Sequence, residues 1–219
     1  MAWFPLVGAI VGGIGVLTWV IVEALVGRTP AAVAAVLVTI VVTGALHEDG
    51  LADTVDGLFG GSTPERRLEI MRDSSVGTYG ALALTGDVIL RAALLAPLGL
   101  PDIARALIAG HVIGRLAPLV VVAWLPTARL DGLGASVAGK PGRGAWLIAG
   151  ATVAVAAIGA VGFWAPLVLA AAAAPVWLTG RAARDRIGGF TGDILGAAVQ
   201  TSTLAVTATV AALVSAGAF

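Results

Sequence analysis

No cysteine occurs in these 219 residues. That removes disulfides, thiolate metal sites and cysteine nucleophiles, and leaves the redox compartment open. Charge is scarce as well: only 12% of residues are Asp, Glu, Lys or Arg, against roughly 25% in a soluble domain. Hydrophobic residues make up 58% and the mean hydropathy is +0.99. So little polar surface does not cover a water-soluble globule, and so much apolar surface excludes a disordered chain. Thirteen basic residues balance thirteen acidic ones, so no overall basic field draws in nucleic acid, and none is expected as a partner. What is present is a succession of long apolar runs, the pattern of a polytopic protein whose partner is a lipid bilayer.

A bilayer-spanning helix takes about 20 mostly apolar residues. Seven stretches qualify: roughly 4–25, 31–46, 79–98, 103–125, 145–163, 165–179 and 193–216. The expected fold is therefore all-α, a membrane-embedded helical bundle forming one domain over residues 1–219. A non-spanning segment, 47–80, is expected between the second and third spans. The first span lacks the basic start of a signal peptide and is too long for one. Trp164-Ala165-Pro166 reads as a tight turn between two spans. Gly8 and Gly12 have the small-xxx-small spacing that lets helices approach closely in lipid. Trp3, Trp19, Trp124, Trp146, Trp164 and Trp177 all fall near span ends, as an aromatic belt requires.

Basic residues give the orientation. Nine of thirteen lie in three connections: Arg66, Arg67 and Arg72; Arg129, Lys140 and Arg143; Arg181, Arg184 and Arg186. The opposite side has only Arg28 and Arg105. The basic connections are expected in the cytoplasm, at the inner membrane.

The acids are not spread evenly, since seven of thirteen fall between Glu48 and Asp73. Asp49, Asp53 and Asp56 are spaced i, i+4, i+7, which on a helix keeps them within about 60° of one another. Three carboxylates on one stripe repel unless a cation lies between them, and hard oxygen donors suit Mg²⁺, Mn²⁺ or Ca²⁺. The competing reading is a solvated amphipathic face, with Leu51, Val55 and Leu58 on its apolar side. Downstream, Thr63 and Pro64 mark a helix start. Glu65, Glu69 and Asp73 follow at four-residue spacing among arginines. Residues 73–80 form a Gly-rich approach to the third span. Near the end, Arg181, Arg184 and Arg186 precede Gly188-Gly-Phe-Thr-Gly-Asp193, a tight turn in which Asp193 could cap the last span. Arginine suits phosphate as a permanent planar donor. His47 is a candidate base or ligand. Residues 134–140 have P-loop spacing, but Pro141 stands where the Mg²⁺-contacting hydroxyl belongs. Within the spans, Asp87 and Arg91 are expected to form an ion pair, and Arg115 has no neighbour in sequence to neutralise it. Those residues with His111 would suit a cation-coupled transporter, but the acids crowd one surface and no inverted repeat is visible.

These features together describe metal-assisted phosphoryl transfer at a membrane surface. Asp53-x-x-Asp56-Gly57 with Glu69-x-x-x-Asp73 resembles part of the CDP-alcohol phosphotransferase signature, without that family's Ala-Arg pair. A fuller resemblance is to the cobalamin synthase family, the adenosylcobinamide-GDP ribazoletransferases. It is carried by His47-x-Asp49-Gly-Leu-Ala-Asp53-Thr-x-Asp56-Gly-Leu, Glu65-Arg-Arg-Leu-Glu-Ile-Met-Arg-Asp73-Ser and Gly77-Thr-Tyr-Gly80. Phe4-Pro-Leu-Val-Gly8, Ala128-Arg-x-Asp-Gly-Leu-Gly134 and Gly188-Gly-Phe-Thr-Gly-Asp-Ile-Leu-Gly-Ala197 extend it. Members usually carry further residues before the first of these blocks, and often Lys at the position of Arg72. The resemblance implies attack by α-ribazole or its 5′-phosphate on adenosylcobinamide-GDP, giving adenosylcobalamin or its phosphate, and GMP. It implies Mg²⁺, with Mn²⁺ a substitute, held by Asp49, Asp53 and Asp56. Asp73 would be a further ligand or the base, His47 or a carboxylate beside the metal would take the acceptor's proton, Arg66, Arg67, Arg129 and Arg186 would contact the phosphate groups, and Asp193 would join the cofactor-binding residues. An oligomeric state is not implied, and a homo-oligomer stays open.

Overall fold

A computed structural model describes residues 1–129, 131–137 and 139–219. Among these described residues eleven α-helices follow one another: α1 (Phe4–Val26), α2 (Arg28–Val42), α3 (Leu46–Gly60), α4 (Pro64–Ile70), α5 (Thr78–Leu95), α6 (Leu100–Gly114), α7 (Ala117–Trp124), α8 (Gly132–Ser136), α9 (Arg143–Val161), α10 (Ala165–Ile187) and α11 (Gly192–Ser215). Among the described residues the sole β feature is a parallel bridge between Thr127 and Phe190.

Helices lie at each of the seven expected stretches, with three changes to their bounds. The second stops at Val42, short of Leu46, because Gly44 and Ala45 turn the chain with φ of +62° and +56°. An alanine in the left-handed region costs roughly 1–2 kcal/mol, and the result is an 89° corner between α2 and α3. The fourth is interrupted after Gly114, where Pro118 offers no N–H to continue the helix. The sixth runs on through Arg186 to Ile187 instead of ending at Thr179. Among the described residues, five helical runs are long and apolar enough to cross a membrane, or six if α2 and α3 are taken as one bent span. The longest, Arg143–Ile187, has 45 residues, and a straight helix of that length would measure about 67 Å. It is broken at Gly162, φ +53°. Val153 of α9 and Ala172 and Val176 of α10 line one cavity, so the two helices fold back on each other.

Small residues set the closest approaches. A Cβ on Gly8 would overlap the carbonyl of His111, and one on Gly12 would lie 2.8 Å from that of Leu107, so α1 runs antiparallel along α6 on the predicted stripe. Large apolar side chains such as Leu6, Ile10, Leu17 and Ile21 of α1 point outward, as they do where the solvent is lipid. Trp19 corrects the aromatic-belt expectation: it is 3% exposed and belongs to the interior core with Ile103, Val112 and Val206. The other five tryptophans are exposed.

A second core, built on Leu58, Met71, Val121, Ile187, Phe190 and Ile194, closes one end of the bundle. The last turns of α7 and α10 and the first turn of α11 meet there. α3 packs along α5 and α11, with Asp56 at the first turn of α5 and Glu48 reaching inward to Arg91 of α5 and Gln200 of α11. It touches the first turn of α5 and crosses α11 where a Cβ on Gly50 would come 2.9 Å from Asp193 O and 3.1 Å from Gly196 Cα.

Candidate active site

The crossing of α3 over α11 fixes the site. His47 and Asp49 at the start of α3 and Asp193 and Gly196 at the start of α11 line a cavity of about 460 Å³. Phe4, Pro118 and Leu195 supply apolar walls, and Arg72, Arg129 and Asp131 close the polar side. Thr191, not Asp193, caps α11: its Oγ1 accepts from the amide of Ile194 at 3.3 Å. That leaves the Asp193 carboxylate for the cavity, where Arg129 Nη2 lies 2.6 Å away and Thr191 Oγ1 donates at 3.0 Å.

The three-aspartate stripe forms as a helical face but does not work as a unit. Asp49 is exposed to the cavity. Asp53, one turn on, is half-buried among carboxylates. Burial, followed by the charges of Asp49, Asp193 and Asp56, pushes its pKa up to about 7. Asp56 turns away from this cavity. Its Oδ2 accepts from the amide of Gly77 at 2.8 Å and its Oδ1 from that of Gly80 at 2.9 Å, so it docks α3 on the N-terminus of α5. Gly77 and Gly80 are required there, because a Cβ on either would strike the Asp56 carboxylate. The Gly-rich approach to α5 thus receives a side-chain carboxylate. Among the described residues, no three His, Asp or Glu side chains converge closely enough to hold a metal.

Asp73 lies apart, exposed, on a separate opening that it shares with Asp56. The Ser75 amide donates to its Oδ1 at 2.9 Å and holds its carboxyl below the usual range. The four arginines separate in the same way. Arg129 lines the cavity. Arg66 pairs with Glu69 at 2.6 Å on the exposed face of α4. Arg67 donates to Arg186 O at 3.2 Å, while Arg186 donates to Leu58 O at 2.5 Å and stacks over the Phe59 ring at 5.0 Å. Arg67 and Arg186 therefore clamp α3, α4 and α10 together. Thr63 caps α4 as expected, through the Arg66 amide.

Sequence reasoning passed over two groups. Asp131 forms a two-oxygen contact with Arg72 Nη2, 2.8 Å to each oxygen, at the rim of the cavity. Its place within an Asp-Gly pair among basic residues was the available signal. Glu48 is buried and accepts from Gln200 Nε2. It was hidden because burial makes it the inward-facing neighbour of two exposed-looking polar residues. The expected Asp87–Arg91 ion pair is present at 2.7 Å. Arg115 is neighboured by His111 Nδ1 at 2.9 Å on its own helix. Of the stretch with P-loop spacing, Ala138 is outside the described residues. Gly134 sits within α8 against Gly192, where it opens no phosphate-binding helix.

The sequence profile of the cobalamin-5-phosphate synthase family matches residues 1–211. The chain belongs to that family. An adenosylcobinamide-GDP ribazoletransferase of Bradyrhizobium diazoefficiens is 44% identical over 207 residues, covering 92% of this chain and 78% of the relative. One from Azorhizobium caulinodans is 42% identical over 205 residues, covering 90% and 77%. The Escherichia coli K12 protein of the same name is 36% identical over 200 residues, covering 90% and 81%. No solved structure matches the chain.

The blocks by which the sequence resembles this cobalamin synthase family are distant in the chain but meet at one end of the fold. Phe4, the His47–Asp49 turn, Arg129 with Asp131, and Gly192 with Asp193 all line the one cavity. Leu130 of the third block is outside the described residues.

Proposed function

We propose that this chain transfers the cobinamide-phosphate moiety of adenosylcobinamide-GDP to α-ribazole or its 5′-phosphate, releasing GMP and giving adenosylcobalamin or its phosphate. The observation that carries this reading is the convergence of the family's separate sequence blocks on one cavity that holds carboxylates, an imidazole and an arginine. A ribose hydroxyl attacks the phosphorus on the cobinamide side, its P–O bond forms, and the bond to the GMP oxygen breaks. His47 at the cavity wall is placed to take the hydroxyl proton. Arg129, neutralised at rest by Asp193, is placed to turn its fork to the diphosphate. Asp73, the other candidate base, would need the α4–α5 loop to move toward the cavity.

No three carboxylates converge among the described residues, but Mg²⁺ takes only one or two beside water and substrate phosphate oxygens, and the donor chemistry here fits that. Asp53 is half-buried, and its pKa is raised first by that burial and then by the charges of Asp49, Asp193 and Asp56, a group of acids that a divalent cation would neutralise. Asp49, Asp53 and Asp193 are the residues we assign to hold it, with Asp56 behind them fixing α3. When bound, the ion would stabilise charge on the diphosphate and on departing GMP.

We further propose seven crossings, by α1, α2, α5, α6 with α7, α9, α10 and α11, in the inner membrane. The site faces the cytoplasm, because the nine clustered basic residues lie at the site end while Arg28 and Arg105 lie at the other. The test is an assay of detergent-solubilised protein with adenosylcobinamide-GDP, α-ribazole and Mg²⁺, with and without EDTA. Metal-dependent GMP release matched by corrinoid product is expected. Folded protein that releases no GMP with either ribazole form would refute the reading.

A further inference from the structure

Glu48 is 6% exposed, between two residues, His47 and Asp49, that both line the cavity. Its side chain points the other way, into the bundle. There Oε1 accepts from Gln200 Nε2 of α11 and lies 3.6 Å from Arg91 Nη2 of α5. Arg91 is held in turn by Asp87 at 2.7 Å, and the charge of Arg115 also acts on Glu48. Two acids and two arginines thus balance inside an apolar bundle, directly beneath the first turn of α3. A buried ion pair seldom adds net stability over well-packed apolar residues. Its use here is geometric, because the turn it grips follows the left-handed corner at Gly44 and Ala45 and has no side-chain cap of its own.

We infer that Glu48 is a positioning residue: through Gln200 and Arg91 it fixes the first turn of α3 so that His47 and Asp49 face the substrate cavity. The kinetic part of the test rests on the transferase reading; the structural part does not. The full-length protein in detergent is compared with Gln200→Leu, which removes the hydrogen bond and leaves every charge in place, and with Glu48→Ala and Glu48→Gln. Amide hydrogen exchange is expected to rise in residues 46–52 of Gln200→Leu and Glu48→Ala, with α5 and the rest of α11 unchanged. Turnover is expected to fall by about tenfold to a hundredfold, as for small misplacements of reacting groups. KM for both substrates should stay within about twofold, since Arg129 and the apolar walls at Phe4, Pro118 and Leu195 are untouched. Glu48→Gln, which keeps the acceptor oxygen, should retain more turnover than Glu48→Ala. Wild-type kcat in folded Gln200→Leu, or exchange rising uniformly through the bundle in step with lost activity, overturns the inference. Absence of turnover in the wild type would refute the transferase reading, and the exchange result would still decide the role of Glu48.

Discussion

Arg129 Nη2 lies 2.6 Å from Asp193 Oδ2, tying the connection after α7 to the first turn of α11 across 64 residues of sequence. Both side chains are mostly buried, so this pair is screened less than the exposed Arg66–Glu69 pair. Arg129→Ala is expected to raise KM for adenosylcobinamide-GDP by at least about tenfold, the cost of one lost charge-assisted contact. Arg129→Lys should recover part of this, because it keeps the charge and loses the planar fork. Arg66→Ala should leave KM within about twofold, as its partner is Glu69 and not the cavity. Initial-rate measurements of GMP release check all three, and equal KM values for Arg129→Ala and Arg66→Ala would remove Arg129 from the site.

Asp53 and Asp56 should part ways although they occupy one face of one helix. Asp53→Asn is expected to abolish turnover while the protein extracts normally and melts no lower than metal-free wild type, because its carboxylate is half-buried and faces other acids. Asp56→Asn loses an acceptor for one of two backbone amides and turns an amide NH₂ toward it. That should cost about 1–3 kcal/mol and lower the thermal midpoint by several degrees. Thermal unfolding followed alongside activity separates them; identical melting of the two variants would contradict the docking role of Asp56.

Much of this was legible in advance. Apolar runs of bilayer length, the Gly8/Gly12 stripe, the Thr63 cap and the Asp87–Arg91 pair follow from local spacing, which a helix converts directly into contact. The α2–α3 corner was not legible, because it depends on Ala45 adopting a backbone conformation that alanine disfavours. Nor were the roles of the arginines. Arg67, Arg129 and Arg186 look alike in sequence, and only tertiary packing shows that two grip carbonyls while one reaches the cavity. The stripe of aspartates was read correctly as one helical face, but a stripe does not reveal that a neighbouring helix N-terminus claims Asp56.

Packing at the α3–α11 crossing gives a prediction free of charge effects. A Cβ on Gly50 would come 2.9 Å from Asp193 O and 3.1 Å from Gly196 Cα, so the backbones themselves would have to separate. Gly50→Val is expected to destabilise by about 1–3 kcal/mol, the usual range for overpacking. It should reduce turnover by more than its thermal shift suggests, since His47 and Asp193 sit on opposite sides of the contact. Gly86, whose Cβ would meet nothing within 4 Å, is the control: Gly86→Ala should be neutral or slightly stabilising in its helix. Comparable losses in the two variants would show that the crossing is not closely packed.

The pH dependence follows from Asp53. Its folded pKa of about 7 stands above the ordinary carboxylate value because of burial and then Asp49, Asp193 and Asp56. The folded protein therefore favours the protonated form. Stability from this group is fully present below about pH 4 and is lost progressively as pH rises toward 7. Metal-free protein should accordingly melt higher at pH 5.5 than at pH 7.5. A divalent cation competes with that proton, so its affinity should climb with pH and level off above about 7. Saturating Mg²⁺ should then raise the melting temperature more at pH 7.5 than at pH 5.5. Asp53→Asn carries no titrating proton at this position and should flatten both trends. Melting curves at the two pH values, with Mg²⁺ or EDTA, read the effect without any turnover. A wild-type Mg²⁺ response that is equal at both pH values, or one that persists unchanged in Asp53→Asn, would take the cation away from Asp53.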